Sequence, residues 1–96
     1  MLDQFSRTKL LIGEDGVEKL KKATVAVFGI GGVGSYTVEA LARAGVGNLV
    51  LIDKDEISVT NINRQIHSTF KTIGKSKVYV MKDRILEINP KADVKI

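Results

Sequence analysis

The stretch VAVFGIGGVGSYTVEALARAGVGNLVLID, from Val25 to Asp53, decides the fold of this 96-residue chain. Its first residues form an unbroken apolar run, typical of a parallel strand buried on both faces, which leads into a GxGxxG turn. Apolar residues then recur at helical spacing until Gly45, which ends the predicted helix, and Leu49–Ile52 is a second apolar run. The stretch therefore predicts a strand, a helix and a second strand that closes on Asp53.

The apolar stripe of the predicted helix indicates which of its faces packs against the sheet. Val38, Leu41 and Ala42 recur at helical spacing, and Val33 and Val46 are expected to extend the stripe. Glu39 and Arg43 are expected on the opposite, polar face.

The glycines of the turn have distinct expected roles in binding a nucleotide. Gly29 permits the tight turn, Gly31 has no Cβ to keep a phosphate at a distance, and Gly34 lets helix and strand approach. The N-terminus of the helix offers free N–H groups to an anion. Asp53 can accept hydrogen bonds from ribose hydroxyls. This pattern predicts an adenine-nucleotide site and leaves open whether the nucleotide is NAD.

The loop after the second predicted strand, DKDEISVTNINRQIH at Asp53–His67, favours ATP over NAD. Arg64 can clamp phosphate oxygens with two hydrogen bonds, and Asn61 can donate its side-chain amide. Lys77, in the first turn of the next predicted helix, can add a point charge. The alternative is that these cations are surface charges. His67 has no Asp or second His at a suggestive spacing and is predicted to be a structural loop residue.

The composition is that of a globular domain, and it excludes some kinds of site. The chain contains no cysteine, which removes a thiol nucleophile and a Cys-based zinc site from these 96 residues. It has no run of eighteen apolar residues, and residues 1–23 lack the apolar core of a signal peptide, so we expect a cytoplasmic protein. The net charge of +4 favours anionic partners such as nucleotides or RNA, or reflects a solvated surface.

The chain divides into an arm and a repeating strand–helix pattern. Residues 1–23 are predicted to form a polar helical arm with breaks at Gly13 and Gly16. Residues 24–96 are predicted to be β-α-β-α-β, with the second helix within Gly74–Pro90 and the third strand at Ala92–Ile96. This order is the N-terminal half of a Rossmann-like, doubly wound parallel α/β sheet. Because such a sheet is covered on both faces, we expect residues 1–96 to leave apolar surface uncovered.

Four motifs lie along the chain: GIGGVGS at Gly29–Ser35, LIDKDEISVTNINRQIH at Leu51–His67, GKSKV at Gly74–Val78 and EINP at Glu87–Pro90. Together they resemble the ThiF/HesA/MoeB superfamily of adenylating enzymes, which are related to ubiquitin activators. FSRTKLLIG at Phe5–Gly13, taken with TNINRQIHS, resembles the tRNA threonylcarbamoyladenosine dehydratase branch. The resemblance covers essentially all of this chain, which matches the N-terminal part of such a protein and of its single ATP-binding adenylating domain.

The resemblance implies a role for individual residues of the nucleotide site. Gly32 matches the glycine whose backbone meets the nucleotide, and Asp53 matches the acid that binds the ribose. Asp55 matches the second acid of a DxD motif. The polar set around the phosphates comprises Asn61, Arg64 and Lys77, with Thr60 and Asn63 in the same binding stretch.

The resemblance also implies a second subunit and a metal ion. Arg7 matches an arginine that family members insert into the ATP site of the partner subunit, which implies a homodimer in which Arg7, Arg64 and Lys77 serve catalysis. The implied ligands are ATP and Mg²⁺. The metal-binding aspartate, the crossover loop and any catalytic cysteine or tRNA-binding region are expected beyond Ile96, so no metal ligand is assigned.

The implied reaction is ATP-dependent adenylation of a carboxylate. In the dehydratase branch this carboxylate belongs to the threonine moiety of a modified adenosine in tRNA, whose carbamoyl group then attacks to give a cyclic product with net loss of water. One alternative is adenylation of the C-terminus of a ubiquitin-like sulfur carrier protein, with that carrier or a sulfurtransferase as partner. An NAD-dependent oxidoreductase and a non-catalytic nucleotide-binding partner stay open as alternatives of other classes.

Overall fold

The computed structural model describes residues 2–96 as a three-stranded parallel sheet with helices packed on it. The helices are α1 (Ser6–Lys22), α2 (Gly32–Ala44) and α3 (Lys77–Ile88), the strands are β1 (Thr24–Phe28), β2 (Asn48–Ile52) and β3 (Asp93–Lys95), and Val59–Asn61 forms one 3₁₀ turn. The strands pair in the order β1-β2-β3, with Asn48 opposite both Thr24 and Asp93. The predicted βαβαβ order is confirmed. None of the helices in residues 2–96 is both long and apolar enough to cross a membrane.

The hydrophobic core lies between the sheet and the pair α2 and α3. Its fully buried members include Ile30, Val38, Ala42, Leu49, Leu51, Met81 and Ile85. Burial of a Val, Leu, Ile or Met side chain stabilises a fold by about 1.5–3 kcal/mol. The prediction that Val33 extends the apolar stripe is wrong, because Val33 is 84% exposed. Its five-residue spacing from Val38 places it about 140° away around the helix.

Glu39 is also placed differently from the prediction. Only 8% of this residue is exposed, because α3 packs over the polar face of α2. Arg84 of α3 donates to Glu39 from Nε at 2.6 Å and from Nη2 at 3.1 Å, and Arg43 donates from Nε at 2.8 Å. Hydrogen bonding from Arg84 lowers the pKa of Glu39 against the opposing effect of burial. The predicted polar face is therefore a charged contact between two helices.

β1 is covered on one face only by the described residues. Val25 and Val27 are half-buried towards the helices, whereas Ala26 is exposed and Phe28 is 78% exposed. The second face of β1 is open within residues 2–96, because right-handed connections between successive parallel strands place α2 and α3 on the same side. The expected uncovered apolar surface is present, and Ile52 of β2 belongs to it.

α1 is interrupted at one of its two predicted breaks. Gly13 has φ 74° and ψ 174°, outside the helical region and in a conformation that favours glycine. Gly16 stays helical, so the second predicted break is wrong. A Cβ on Gly16 would lie 2.8 Å from Cβ of Ile12, so the absence of a side chain there permits close packing on the preceding turn.

The arm packs at the amino-terminal ends of the strands. Gly47, immediately before β2, donates from its backbone N to the Leu20 carbonyl at 3.0 Å. A Cβ on Gly47 would lie 1.9 Å from the carbonyl oxygen of Lys21. The Phe5 ring lies against Gly45, at the end of α2. α1 is thus at the edge of the sheet opposite to the carboxyl ends of β1 and β2.

Candidate functional site

The glycine turn follows β1 at the carboxyl edge of the sheet. Gly29 has φ 88°, and its N–H donates to the Ile52 carbonyl at 2.8 Å, which ties the turn to the end of β2. A Cβ on Gly34 would lie 1.8 Å from the carbonyl oxygen of Gly29. Gly29 therefore makes the tight turn, and Gly34 permits α2 to approach it closely, as the sequence predicts.

The N-terminus of α2 is open to an anion. Gly31 caps the helix and no side chain accepts from the first-turn N–H groups. A Cβ on Gly31 would meet nothing closer than Nε2 of Gln65 at 3.8 Å, and one on Gly32 would meet Arg64 at the same distance. The space above these two glycines is therefore free, and uncapped N–H groups at a helix N-terminus attract phosphate.

Asp53 follows β2 and lies beside the glycine turn. Its Oδ2 accepts from the N–H of Ile30 and its Oδ1 accepts from the N–H of Asp55, both at 2.7 Å. Burial raises the pKa of Asp53, but these two hydrogen bonds and the nearby Lys77 charge outweigh burial and leave the pKa below its usual value. The group is therefore a fixed carboxylate, and each oxygen keeps a lone pair for a ribose hydroxyl.

Lys77 is the first residue of α3 and is only 7% exposed. Its backbone N donates to the Asp55 carbonyl at 3.1 Å, which brings the start of α3 to the loop after β2. Among residues 2–96, no carboxylate lies within ion-pair distance of its ammonium group. The positive charge of Lys77 lowers the pKa of both Asp53 and His67, so the charge lies near these two side chains. This is a cation with a buried stem and no anionic partner of its own.

Arg64 lies against the glycine turn on the other side of the site. Its Cγ is 3.8 Å from the position of a Cβ on Gly32. Its Nη1 donates to the carbonyl of Thr60 at 3.0 Å and to Oδ1 of Asn63 at 2.8 Å. The remaining guanidinium donors make no hydrogen bond to residues 2–96 and are exposed to solvent, so they are available to phosphate oxygens.

Asn61 and Thr60 belong to the 3₁₀ turn that carries Arg64. Asn61 is buried, and its Oδ1 accepts from the N–H of Ser58 at 2.9 Å in a capping box. Its side-chain NH₂ is therefore the part left to donate, as predicted for a phosphate contact. Thr60 is exposed, and its hydroxyl pairs with that of Ser58 at 2.8 Å. The predicted polar set is thus gathered at one edge of the sheet.

Arg7 is the one predicted site residue that the structure does not bring to this edge. It lies in the first turn of α1 and is exposed. Its neighbour Phe5 packs on Gly45, and Nε2 of Gln4 donates to the Ile88 carbonyl at 2.9 Å, which fixes this end of the arm at the amino-terminal edge. Within one chain, the length of β1 separates Arg7 from the glycine turn, about 16 Å for five residues.

Three residues of the site gave little signal in the sequence. Ser35 is fully buried, and its Oγ accepts from the N–H of Ile66 at 3.3 Å. Gln65 is buried beneath Gly31, and its Oε1 has no hydrogen-bond partner among residues 2–96. His67 is 2% exposed and uses both ring nitrogens for hydrogen bonds within the chain, so the fold holds its ring in place, as predicted. Of these three residues, only Ser35 had a position, directly after the last motif glycine, that indicated close packing in the turn.

The described residues offer no ready-made metal centre. No group of three or more His, Cys, Asp or Glu side chains in residues 2–96 is placed to hold an ion. One concavity of about 540 Å³ lies at the amino-terminal edge, with Phe5 and Asn48 in its lining, and neither the glycine turn nor Lys77 lines it. The polar cluster at the carboxyl edge, although open to solvent, is therefore the better candidate for a nucleotide site.

Known proteins are similar to this chain in sequence and in fold. A tRNA threonylcarbamoyladenosine dehydratase of Bacillus subtilis (strain 168) is 56% identical over 94 residues, which are 98% of this chain and 37% of that protein. The E. coli tRNA N6-threonylcarbamoyladenosine dehydratase in complex with ATP has a TM-score of 0.94 at 47% identity, over 96% of this chain and 38% of that one. The complex with AMP gives the same TM-score and identity over 37% of that chain. A sulfur carrier protein adenylyltransferase of Thermus thermophilus is 36% identical over 91 residues, 93% of this chain and 34% of that protein.

These likenesses settle the fold and the family. The chain spans about a third of the length of the relatives it matches. The Rossmann-like α/β fold predicted from the sequence is confirmed by the solved structures. The ThiF family pattern matches residues 5–96, from the arm through the glycine turn, Asp53 and Lys77 to β3. The chain is a member of the ThiF family.

Proposed function

We propose that this chain forms the ATP-binding part of an enzyme that adenylates a carboxylate. The observation that carries the proposal is Lys77, a cation with a buried stem and no carboxylate within ion-pair distance, whose charge lies near Asp53 and the uncapped helix N-terminus. A cation held in this way is stabilised by an anion that enters the site. The relatives solved with ATP and AMP support an adenine nucleotide as that anion.

Adenylation overcomes the poor reactivity of a carboxylate. A carboxylate oxygen forms a bond to the α-phosphorus of ATP, the bond from that phosphorus to the bridging oxygen breaks, and pyrophosphate leaves with the electron pair. AMP then serves as a good leaving group on the acyl carbon. The protein has to align the reactants and neutralise the departing pyrophosphate. Arg64 and Lys77 are the residues proposed to do this, while Asp53 binds the ribose.

The proposed acceptor is the threonine carboxylate of threonylcarbamoyladenosine in tRNA, which is then cyclised with loss of water. Relatives named for this activity, at 56% identity in B. subtilis, support this choice. Adenylation of a sulfur carrier protein is the alternative supported by the T. thermophilus relative, and a sulfurtransferase would be a partner only in that case. We place the enzyme in the cytoplasm, where tRNA is modified.

The remaining expectations concern the second subunit and the metal. Arg7 is proposed to act in the ATP site of a partner subunit, which its position at the opposite edge of its own sheet supports. A homodimer would supply this arginine reciprocally. Mg²⁺ is proposed as the companion of ATP, because Mg²⁺ is commonly held by nucleotide phosphates with one or two carboxylates. No step of the reaction is assigned to it.

The proposal is tested by ATP–pyrophosphate exchange in the complete protein. Lys77→Met keeps an apolar stem and removes the charge, so exchange should fall by about 10²-fold or more. Lys82→Met, in the same helix, is the matched control and should leave exchange unchanged. Equal exchange in wild type and Lys77→Met would refute the role of Lys77.

The acceptor is tested separately. Wild-type protein is incubated with ATP and either tRNA that carries threonylcarbamoyladenosine or a sulfur carrier protein with a free C-terminus. We expect a tRNA nucleoside lighter by one water and no acyl-adenylate on the carrier. Adenylation of the carrier alone would replace the proposed acceptor by the alternative.

A further inference from the structure

A continuous line of hydrogen bonds connects the loop after the 3₁₀ turn to the glycine turn. The hydroxyl of Ser68 lies 2.9 Å from Nδ1 of His67, and Nε2 of His67 lies 2.8 Å from the carbonyl oxygen of Ile30. The N–H of Ile30 in turn donates to Oδ2 of Asp53 at 2.7 Å. Ile30 stands between Gly29 and Gly31, so His67 contacts the centre of the glycine turn.

The partners fix the protonation of His67. A carbonyl oxygen can only accept, so Nε2 of His67 carries the proton and Nδ1 accepts from the hydroxyl of Ser68. Burial lowers the pKa of His67 and outweighs the opposing effect of the hydrogen bond to Ile30. Of the charged groups that face the ring, Lys77 also lowers this pKa and Asp53 raises it. The ring is therefore neutral near pH 7.

The hydrogen bond to Ile30 has a geometric consequence for the next N–H group. The carbonyl of Ile30 and the N–H of Gly31 belong to one planar trans peptide, in which the two bonds point in opposite directions. With the carbonyl directed at His67, the N–H of Gly31 is directed away from the ring. This N–H makes no backbone hydrogen bond among residues 2–96 and lies at the uncapped start of α2.

We propose that His67 is a positioning residue of the nucleotide site: its Nε2–H group holds the Ile30–Gly31 peptide so that the N–H of Gly31 faces a phosphate. The proposal rests on the nucleotide-binding function proposed above. It predicts a specific defect when the hydrogen bond is lost, because a freely turning peptide no longer presents a preorganised donor. Phosphate binding should be weakened while nucleoside binding is retained.

Calorimetric titration of the complete protein with ATP, and with adenosine as the phosphate-free control, tests the proposal. His67→Phe fills the same space without a donor and should weaken ATP binding by about tenfold with adenosine affinity unchanged. His67→Gln places an amide N–H near the position of Nε2 and should recover most of the ATP affinity. Ser68→Ala leaves the contact with Ile30 in place and should bind ATP within about threefold of wild type.

Equal ATP affinity in His67→Phe and wild type would overturn the inference, and so would an equal loss of ATP and adenosine binding, which indicates general damage. A failure of His67→Gln to recover binding would also overturn it. Failure of the wild type itself to bind ATP would instead refute the proposed function, and this inference with it.

A measurement on the unaltered protein does not depend on how the variants fold. The ¹⁵N resonances of the His67 ring, assigned by their absence in His67→Gln, should show a protonated Nε2 and an unprotonated Nδ1 at pH 7. The opposite tautomer would overturn the inference even in a protein that binds ATP, because an unprotonated Nε2 cannot donate to the Ile30 carbonyl.

Discussion

Replacement of Gly34 by alanine is the most severe single methyl addition that the glycine turn can receive. The new Cβ would lie 1.8 Å from the carbonyl oxygen of Gly29 and 2.9 Å from its carbonyl carbon. Both atoms are backbone, so no change of side-chain rotamer relieves the clash. To reach ordinary contact at 3.4 Å, the start of α2 has to move away from the turn by about 1.6 Å.

The size of this shift sets the expected effects. Overpacking that neighbours can accommodate costs about 1–3 kcal/mol, and a clash between backbone segments should exceed that range, at about 4 kcal/mol. In a domain of 150–250 residues this corresponds to a fall in Tm of at least about 8 °C. Misplacement of a site by about 1 Å can cost ~10²-fold in rate, so pyrophosphate exchange should fall at least as far.

Gly32→Ala is the matched control for Gly34→Ala. Its Cβ would meet nothing closer than Arg64 at 3.8 Å, so thermal denaturation followed by circular dichroism should give nearly the wild-type Tm. Its methyl group would occupy the approach of the phosphates, and ATP affinity measured by calorimetry should still fall. A Gly34→Ala protein with the wild-type Tm would refute the reasoning from contact distances.

Three further expectations concern charged groups of the chain. Arg64→Ala should reduce pyrophosphate exchange by about 10²-fold or more, since it removes the proposed phosphate clamp. Asp53→Ala should weaken binding of ATP, ADP and AMP alike in calorimetry, because the ribose is common to all three; unchanged AMP affinity would contradict the ribose contact. The pKa of His67 is lowered, so its contribution to stability is present above its ordinary pKa of 6.5 and is lost as the pH falls below that value. The pKa of Glu39 is also lowered, so its contribution to stability is likewise lost as the pH falls, but only below about pH 4.5. Tm should therefore begin to fall near pH 6.5 in wild type and only near pH 4.5 in His67→Gln, and identical pH profiles would refute this assignment.

The parts of the fold that the sequence predicted correctly depend on local rules. The left-handed conformations of Gly29 and Gly45 follow from the steric freedom of glycine, and the strands follow from short apolar runs. The candidate phosphate side chains Asn61 and Arg64 were predicted because they lie in the polar loop after β2, nine and twelve residues beyond Ile52. Such features need no knowledge of what packs against them.

The parts that were wrong or missed depend on contacts distant in the sequence. Glu39 is buried because Arg84, 45 residues later, reaches it from α3. His67 forms a hydrogen bond with Ile30, which is 37 residues earlier in the sequence, and neither residue type predicts that contact. Val33 departs from the prediction for a different reason: five residues from Val38, it lies on another face of α2 and is exposed. The pattern of a single sequence indicates which face of a helix or strand is apolar, but not which other element packs against that face.

Lys77 and Arg64 form one polar set in the sequence, but their different burial leads to a final expectation. Lys77 is only 7% exposed. Its ammonium group still has access to solvent, because Oε1 of Gln65 is the only side-chain polar atom in residues 2–96 that is both fully buried and without a hydrogen-bond partner. Its apolar stem packs like that of a hydrophobic residue, and its charge gains no carboxylate partner in return. Lys77→Met should therefore melt at a temperature equal to or above that of wild type while exchange is lost, as expected where a site retains charge for function. Arg64→Ala should leave Tm unchanged, because its guanidinium is exposed. A clear fall in Tm for Lys77→Met would show that this charge stabilises the fold and would remove the observation on which the proposed function rests.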